Sequence, residues 1–270
     1  MGNNYFKNKK VAIIGASGSL GCAYAQAFQQ EGAQLFLLGR HVEKVQKLAQ
    51  KTAAEYSLAS LEIGSEESLQ AAVEAIRSWS DQVDIIINAT GFDVRKSLSA
   101  HSAAEIKQTL DTNLLGAVLL TKYFLPLLSD KASSTLVHTG GFADGRLAFP
   151  YYSVDVASRA GVFSFIEAMN RELRAEGRKK YITYFCPNAA ATPSEAPYHP
   201  VWREMGLAIS SPAEVCQALL KGIRKRRRVI LMGAGTGLFA KINLLSPSLA
   251  DFLLLNQYSR ILKHYFAAAD

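Results

Sequence analysis

The fold of this chain follows from one glycine-rich stretch, Ile14-Gly15-Ala16-Ser17-Gly18-Ser19-Leu20-Gly21. An apolar run at residues 11–14 leads into it, and a helical pattern at residues 22–31 follows it. A buried strand, a glycine-rich turn and a helix start in this order form a phosphate site, because glycine lets the backbone approach the anion and the first N–H groups of the helix bind it. The stretch predicts a site for cofactor phosphate, with a plain tight turn as the alternative. The binding residues that we expect are Gly15, Ser17, Gly18, Ser19, Leu20 and Gly21.

Strand and helix patterns alternate along the rest of the chain. Apolar, β-branched runs predict strands at residues 11–14, 34–38, 58–63, 83–88, 135–139, 181–186 and 229–232. Helical patterns occupy residues 22–31, 42–55, 65–78, 102–128, 156–177 and 212–227. Strands joined by crossover helices form a parallel sheet with helices on both faces. The sequence therefore predicts a Rossmann-type, doubly wound α/β fold with seven parallel strands.

Composition and cysteine content limit the kinds of fold and cellular location that the chain can have. The 270 residues are 49% hydrophobic and 20% charged, which suits one α/β domain. We expect residues 1–233 to form its dinucleotide-binding part and residues 234–270 a helical tail. Three scattered cysteines indicate neither a disulfide framework nor a metal site. With no signal peptide and no membrane-spanning stretch, these features favour a cytoplasmic location.

The net charge of +7 is concentrated in one basic run. Its members are Lys221, Arg224, Lys225, Arg226, Arg227 and Arg228. Such a run is typical of a solvated helix end, which is our first interpretation, and an anionic membrane surface is the alternative. Nucleic acid is not expected as a partner, because aromatic residues are not interleaved with the basic ones.

The pair Gly39-Arg40 bears on the choice of nucleotide. It follows the second predicted strand, where an acidic residue would bind a ribose 2′-hydroxyl. Gly39 leaves room and Arg40 supplies charge for a 2′-phosphate, so the sequence predicts NADP(H) in preference to NAD(H). The alternative is an exposed arginine that opens the next helix.

Three further motifs follow the later strands. Asn88-Ala89-Thr90-Gly91 comes after the fourth strand, Asn113 lies in the segment 111–116, and Pro187-Asn188 begins a segment that ends at Thr192. On these motifs and the glycine-rich turn, the chain resembles the short-chain dehydrogenase/reductase family over nearly its whole length. The resemblance implies an NAD(P)-dependent oxidoreductase in which Pro187 and Thr192 hold the nicotinamide amide.

The resemblance also implies further cofactor contacts. Asn88 and Gly91 match the family's Asn and Gly after the fourth strand, and Glu62 and Ile63 stand where the family has an acid and an aliphatic residue beside the adenine. The middle glycine of the family's turn is displaced here to Gly18.

The catalytic residues depart from the family pattern. The residues from Arg159 onward align without gaps on the family helix that begins at its active-site Lys, which places Asp155 at the position of the catalytic Tyr. Gly141 stands at the position of the catalytic Ser, and of the tetrad only Asn113 remains. The family's Tyr exchanges a proton with the substrate while hydride moves to or from nicotinamide, and its Lys lowers the phenol pKa.

Asp155 and Arg159 therefore set the chemistry that we expect. Arg159 can bind ribose hydroxyls but stays cationic and relays no proton. A carboxyl such as Asp155 titrates near 4 and is a poor acid at neutral pH unless the pocket desolvates it. Alternatively, the two residues form an exposed i,i+4 ion pair on a protein that has lost catalysis. If the helix begins early, Tyr151 shares their face and is a displaced proton donor.

The C-terminal residues 234–270 leave the alternating pattern and combine dense apolar residues with scattered basic ones. We expect a lid over an apolar substrate or an oligomer contact, with a membrane surface as the lesser alternative. The resemblance implies a homodimer or homotetramer through the helices at residues 102–128 and 156–177.

Three functions follow from these observations. The first is an NADP(H)-dependent oxidoreductase that acts on an apolar small molecule, either reducing a carbonyl or imine or oxidising an alcohol. Asn113, Asp155 and Arg159 would form its active site, with Tyr151 as a candidate proton donor. The second is a cyclase, isomerase or dehydratase that uses Asp155 on the same scaffold. The third is a non-catalytic NADP(H)-binding protein.

Overall fold

A seven-stranded parallel sheet forms the centre of the molecule in the computed structural model, which describes residues 4–57, 60–141, 146–233 and 235–267. The strands are β1 (Lys10–Ile14), β2 (Gln34–Leu38), β3 (Glu55–Tyr56), β4 (Ile85–Asn88), β5 (Thr135–Thr139), β6 (Tyr181–Cys186), β7 (Ala189–Ala190), β8 (Ile209–Ser210) and β9 (Val229–Leu231). The sheet order is β3-β2-β1-β4-β5-β6-β9, and β7 pairs with β8 in a separate ribbon. The strand order reverses between β1 and β4, which is where open α/β sheets bind their ligands.

Helices cover both faces of this sheet. They are α1 (Ser19–Gln30), α2 (Val42–Thr52), α3 (Glu66–Trp79), α4 (Ala103–Leu110), α5 (Gly116–Phe124), α6 (Ser153–Ala175), α7 (His199–Glu204), α8 (Pro212–Arg224), α9 (Thr236–Leu245) and α10 (Pro247–Phe266). One apolar core packs α3, α5 and α6 on one face, and a second packs α1, α2 and α8 on the other. Because helices cover both faces, the central strands are buried almost throughout, and the doubly wound prediction is confirmed.

The third predicted strand is wrong. The structure places β3 at Glu55–Tyr56, ahead of the predicted residues 58–63, of which Leu58 and Ala59 lie outside the described residues. The reason is local: Ala53 adopts a left-handed conformation with φ +49°, which ends α2 at Thr52 and frees the chain to pair with β2.

The single helix predicted at residues 102–128 is divided. A π-helical turn at Asp111–Leu115 separates α4 from α5, and a 3₁₀ turn that contains Pro126 follows α5. Such π-helical turns occur frequently at functional sites. This one carries Asn113, whose side chain is buried toward the sheet.

A third apolar cluster lies beyond the carboxyl edge of the sheet. It joins α10 to α7 and to the start of α6 through Tyr152, Trp202, Leu254, Leu262 and Phe266. The tail thus packs over the segment that follows β6. Within the described residues, no helix is both long and apolar enough to cross a membrane.

Candidate active site

The glycine-rich turn joins β1 to α1 at the crevice between β1 and β4. Gly15 has a φ of +83°, which favours glycine. A Cβ atom on Gly21 would lie 2.2 Å from the Gly15 carbonyl oxygen. Only glycine at position 21 therefore lets α1 pack this closely against the turn. Helix α1 begins at Ser19, and its N-cap Gly18 makes no side-chain cap hydrogen bond. The first N–H groups of α1 are therefore available to an anion.

An outer cavity of about 500 Å³ opens on one side of this turn. It contains these members of the predicted set: Gly15, Ser17, Gly18, Arg40, Glu62, Ile63 and Gly91. His41 and Lys44 also line it, although neither was predicted. Lys44 lies four residues after Arg40, and α2 begins at Val42 between them. This spacing was the available signal for a second cation at the same cavity.

An inner cavity of about 270 Å³ opens on the other side of the turn. The predicted residues that line it are Gly18, Ser19, Leu20, Gly91, Gly141, Asp155, Arg159, Pro187 and Thr192. Gly18 and residues 89–91 border both cavities, which makes them one groove along the carboxyl edge of the sheet. The groove, its glycine-only turn and the uncapped helix start fit a nicotinamide dinucleotide, with its phosphates at the turn.

Asn88 lies behind the groove and contacts it through Thr90. Its Oδ1 accepts hydrogen bonds from the Thr90 backbone N–H at 3.0 Å and from the Thr90 hydroxyl at 2.6 Å, while its Nδ2 lies 3.0 Å from His138 Nδ1. Asn88 lines neither the inner nor the outer cavity among the described residues, whereas Thr90 lines both. The structure therefore gives Asn88 a positioning role and places Thr90 at the contact surface.

A chain of alternating charges forms one wall of the inner cavity, and we call it the ion-pair chain. Arg159 Nε donates to both carboxylate oxygens of Asp155, at 2.8 and 3.0 Å, and Arg159 Nη2 bonds to Asp93. Asp93 Oδ2 accepts from Arg95 at 3.2 Å, and Arg95 pairs with Glu195 at 3.0 Å. The predicted Asp155–Arg159 pair exists, but it is buried rather than exposed, with side-chain exposures of 4% and 10%.

The two aspartates of the ion-pair chain have opposite pKa shifts. Burial raises the pKa of Asp155 to about 7, against the lowering effect of Arg159. Burial also acts to raise the pKa of Asp93, but the guanidinium groups of Arg159 and Arg95 outweigh it and lower that pKa to about 2. The two arginines therefore favour the ionised form of Asp93, whereas burial favours the protonated form of Asp155.

Arg95 connects the ion-pair chain to the segment that covers the cavity. Its guanidinium lies over three aromatic rings, 4.1 Å from the ring centroid of Tyr198, 5.3 Å from that of Trp202 and 5.6 Å from that of Tyr152. Glu195, its carboxylate partner, also accepts a hydrogen bond from Trp202 Nε1 at 2.9 Å. Arg95 and Glu195 are 100 positions apart, so no local sequence pattern predicts their contact.

Gly141 packs directly against the side chain of Arg159. A Cβ atom at position 141 would lie 3.2 Å from Arg159 Cζ and Nε, which is closer than ordinary packing. The absence of a side chain at 141 therefore leaves room for the buried guanidinium.

Replacing Gly141 by alanine is expected to destabilise the protein by about 1–3 kcal/mol, because the added methyl group overpacks against Arg159. Urea unfolding of Gly141→Ala, Arg159→Lys and the double variant measures the coupling between the two sites. We expect a coupling energy of at least about 0.5 kcal/mol, since lysine lacks the planar group that the methyl meets. Additive effects would contradict this account of Gly141.

Asn113 is held against both the backbone and α6. Its Oδ1 accepts from the Phe92 N–H and its Nδ2 donates to the Phe92 carbonyl, each at 2.8 Å. The same Nδ2 lies 3.2 Å from Ser158 Oγ and 3.5 Å from Asp155 Oδ1. Asn113 therefore adjoins the Asp155 carboxyl, as the resemblance implies.

Tyr151 does not share the face of Asp155 and Arg159. Helix α6 begins at Ser153, and Tyr151 precedes it with a left-handed φ of +66°. The condition for a displaced tyrosine donor, an early helix start, is therefore not met. The neighbouring Tyr152 lines the inner cavity instead, and burial raises the pKa of its phenol.

Comparison with known proteins agrees with the fold and the site. The family model described as short chain dehydrogenase matches residues 9–200. The chain belongs to this family.

Curated relatives and a solved structure extend this similarity. The chain is 27% identical over 252 residues to the ketoacyl reductase HetN of Nostoc sp., covering 90% of this chain and 87% of the relative. It is 25% identical to the dehydrogenase/reductase SDR family member 7B of Bos taurus, covering 91% and 80%. A short chain dehydrogenase/reductase from Burkholderia phymatum in complex with NAD has the same fold, with a TM-score of 0.79, 19% identity and coverages of 91% and 96%. The chain is accordingly an oxidoreductase of the short chain dehydrogenase type.

Proposed function

We propose that the protein is an NADP(H)-dependent oxidoreductase that reduces a carbonyl or imine group of an apolar small molecule, or oxidises an alcohol, with Asp155 in the place of the family's tyrosine. The observation that carries the proposal is the position of Asp155. It is 3% exposed, and it lines the inner cavity that continues into the glycine-rich turn. A second aspartate and two arginines fix its surroundings.

The reaction needs a hydride and, for a carbonyl, a proton. A reduced nicotinamide dinucleotide held at the glycine-rich turn would supply the hydride. Protonated Asp155 donates its proton to the substrate oxygen or nitrogen and becomes a carboxylate that Arg159 stabilises through Nε. Arg159 stays cationic, so its role is to orient Asp155 and to hold the charge. For an imine that enters already protonated, the Asp155 carboxylate stabilises the positive charge and no proton transfer is required.

One side of the inner cavity offers contacts to an apolar part of a substrate. Tyr152, Ala189 and Ala190 line it, and the first two belong to the buried cluster beneath α7 and α10. The cations of the cavity wall, Arg95 and Arg159, are each engaged by carboxylates. An anionic substrate group would therefore compete with ion pairs that are already formed.

The preference for NADP(H) rests on the two cations at the outer cavity. Replacing Arg40 and Lys44 by glutamine is expected to weaken NADPH binding by about 10- to 100-fold, because hydrogen bonds to a charged phosphate contribute about 1.5–3 kcal/mol. NADH binding should change little, since NADH lacks the 2′-phosphate. Calorimetric titration of both nucleotides measures the ratio, and Lys47→Gln, an exposed lysine of α2 outside the cavity lining, is the matched control. Equal losses for NADPH and NADH would contradict the assignment.

Turnover tests the proposed reaction. The purified protein is incubated with NADPH and a panel of apolar ketones, aldehydes and cyclic imines, while nucleotide oxidation and product are both measured. One NADP⁺ formed for each product is the expected result. Product without nucleotide oxidation would instead indicate a cyclase, isomerase or dehydratase, and nucleotide binding without any product would indicate a non-catalytic binding protein.

A further inference from the structure

The hairpin formed by α9 and α10 carries most of the large, exposed apolar side chains among the described residues. Its exposed large apolar side chains are Leu238, Leu244, Leu245, Leu249, Phe252, Leu253, Leu255 and Tyr265. Elsewhere in the described residues, only Leu98 and Leu115 are large, apolar and exposed. Single exposed leucines are normal, but a concentration of this kind on one element marks an interaction surface.

The hairpin is apolar on its outward side as well as toward the protein. Helix α10 buries Ala250, Leu254, Leu262 and Phe266. Its first turns also expose Leu249 and Phe252, the latter at 63%. The last two residues of α9, Leu244 and Leu245, are 82% and 83% exposed. A helix that is apolar around its circumference is stable when a second apolar phase covers the outward side.

Charge is segregated along the hairpin. The exposed apolar side chains Leu244, Leu245, Leu249 and Phe252 form its tip together with the exposed Asp251, whereas Arg260 and Lys263 lie in the last turns of α10. At 1.5 Å per residue, Arg260 is about 16 Å from Leu249 along the helix axis. Lys241 lies about 6 Å from Leu245 along α9 by the same measure. Asp251 is the one acidic residue among positions 235–267, so the hairpin is net cationic.

We propose that this hairpin docks on an anionic lipid bilayer, with its apolar tip among the acyl chains and Lys241, Arg260 and Lys263 at the headgroups. An apolar segment next to a basic one matches the layered structure of a membrane surface, where amphipathic elements enter about 5–10 Å deep. The proposal does not depend on the proposed reaction, because it concerns a surface outside both cavities.

A second copy of the chain fits this surface less well. A twofold contact places the same patch of both copies in one interface. It would bring two net cationic surfaces together, because each copy carries Lys241, Arg260 and Lys263 against the single acidic residue Asp251. A bilayer that contains anionic lipid meets the same residues with opposite charge.

The basic run at residues 224–228 does not contribute to this surface. Helix α8 starts at the carboxyl edge of the sheet and ends at the amino edge, where the run lies just before β9. The hairpin follows the opposite end of β9, so the two basic regions lie at opposite edges. Variants in this run therefore serve as a control for the loss of positive charge away from the hairpin.

Co-sedimentation with vesicles tests the proposal. We expect the full-length protein to bind vesicles of phosphatidylcholine with about 30% phosphatidylglycerol and to bind pure phosphatidylcholine vesicles at least about tenfold more weakly. The variant Leu244→Ser/Leu245→Ser should lose at least about tenfold in affinity, because two inserted apolar side chains are removed. Both residues are more than 80% exposed, so this variant is expected to fold, which circular dichroism checks.

Charge variants complete the test. Arg260→Gln/Lys263→Gln should weaken binding to anionic vesicles by about tenfold or more, whereas Arg227→Gln/Arg228→Gln should leave it within about twofold. The proposal is overturned if the wild-type protein does not sediment with anionic vesicles, or if the two charge variants lose affinity equally. It is also overturned if analytical ultracentrifugation shows a dimer that Leu244→Ser/Leu245→Ser abolishes while vesicle binding persists.

Discussion

Replacement of Arg159 by methionine is expected to destabilise the fold by about 3–5 kcal/mol, because it leaves the buried Asp155 carboxyl and the partly buried Asp93 carboxylate without their shared cation. Arg159 holds Asp155 at 2.8 Å and also bonds to Asp93. Methionine preserves much of the side-chain volume, so the loss of unfolding free energy comes from the missing charge more than from altered packing. Urea unfolding at pH 7.5 measures the change, with m-values compared to confirm that the unfolding transition is unaltered.

A matched control lies on the same helix. Arg171 is paired with Glu167 at the same i,i+4 spacing, but at 3.8 Å and with a side chain that is 73% exposed. Arg171→Met should therefore cost no more than about 0.5 kcal/mol. Similar losses in the two variants would contradict the claim that the ion-pair chain is buried and structurally required.

The destabilisation by Arg159→Met should shrink as the pH falls from 8 to 5. Removing the guanidinium removes an influence that lowers the pKa of both carboxyl groups, so in the folded variant each pKa rises above its value in the wild-type protein. A carboxyl with a raised pKa in the folded state favours folding at low pH, and this contribution is lost as the pH rises through that pKa. A deficit that is constant with pH would show that lost packing, not unpaired charge, causes the effect.

Replacement of Asp155 by asparagine is expected to lower kcat for carbonyl reduction by about 10²- to 10⁴-fold, the usual contribution of a positioned acid. Asparagine keeps the shape and one acceptor for Arg159 but has no proton to transfer at neutral pH. NADPH affinity should change by less than about threefold. Steady-state kinetics together with calorimetric titration separate the two effects, and Glu167→Gln, an exposed acid of the same helix, is the control.

The pH profile of the wild-type enzyme gives an independent test of the same role. Because the pKa of Asp155 is raised to about 7, the protonated acid needed for carbonyl reduction is depleted above that pH, so reduction should slow. Alcohol oxidation requires the carboxylate and should accelerate through the same range. Asp155→Asn should remove both transitions. A variant that retains the wild-type kcat and pH profile would exclude Asp155 as the proton donor.

Much of the fold was predictable because its signals are local. Strands β2, β5 and β6 have the predicted bounds, since each is a short run rich in apolar and β-branched residues between clear helical patterns. The short strand β3 was misplaced because a left-handed Ala53, rather than glycine, ends the preceding helix. The π-helical turn at Asp111–Leu115 has no comparable signature in composition.

The site was predictable where it follows strand ends and not where it depends on distant contacts. Asp155 and Arg159 were expected as a pair from their spacing, but spacing does not reveal that Asp93 completes the arrangement from another loop. The pairing of Arg95 with Glu195 is set by the packing of α7 over the cavity. The predicted homodimer or homotetramer and the predicted ribose contact of Arg159 stay predictions.

Calorimetric titration of the wild-type protein with NADPH, and separately with NADH, tests the central claim most directly. That claim is that the outer and inner cavities form one working dinucleotide groove that ends at Asp155. We predict one site per chain, a dissociation constant in the micromolar range for NADPH, and weaker binding of NADH. Absence of binding by both nucleotides at millimolar concentration would contradict the claim.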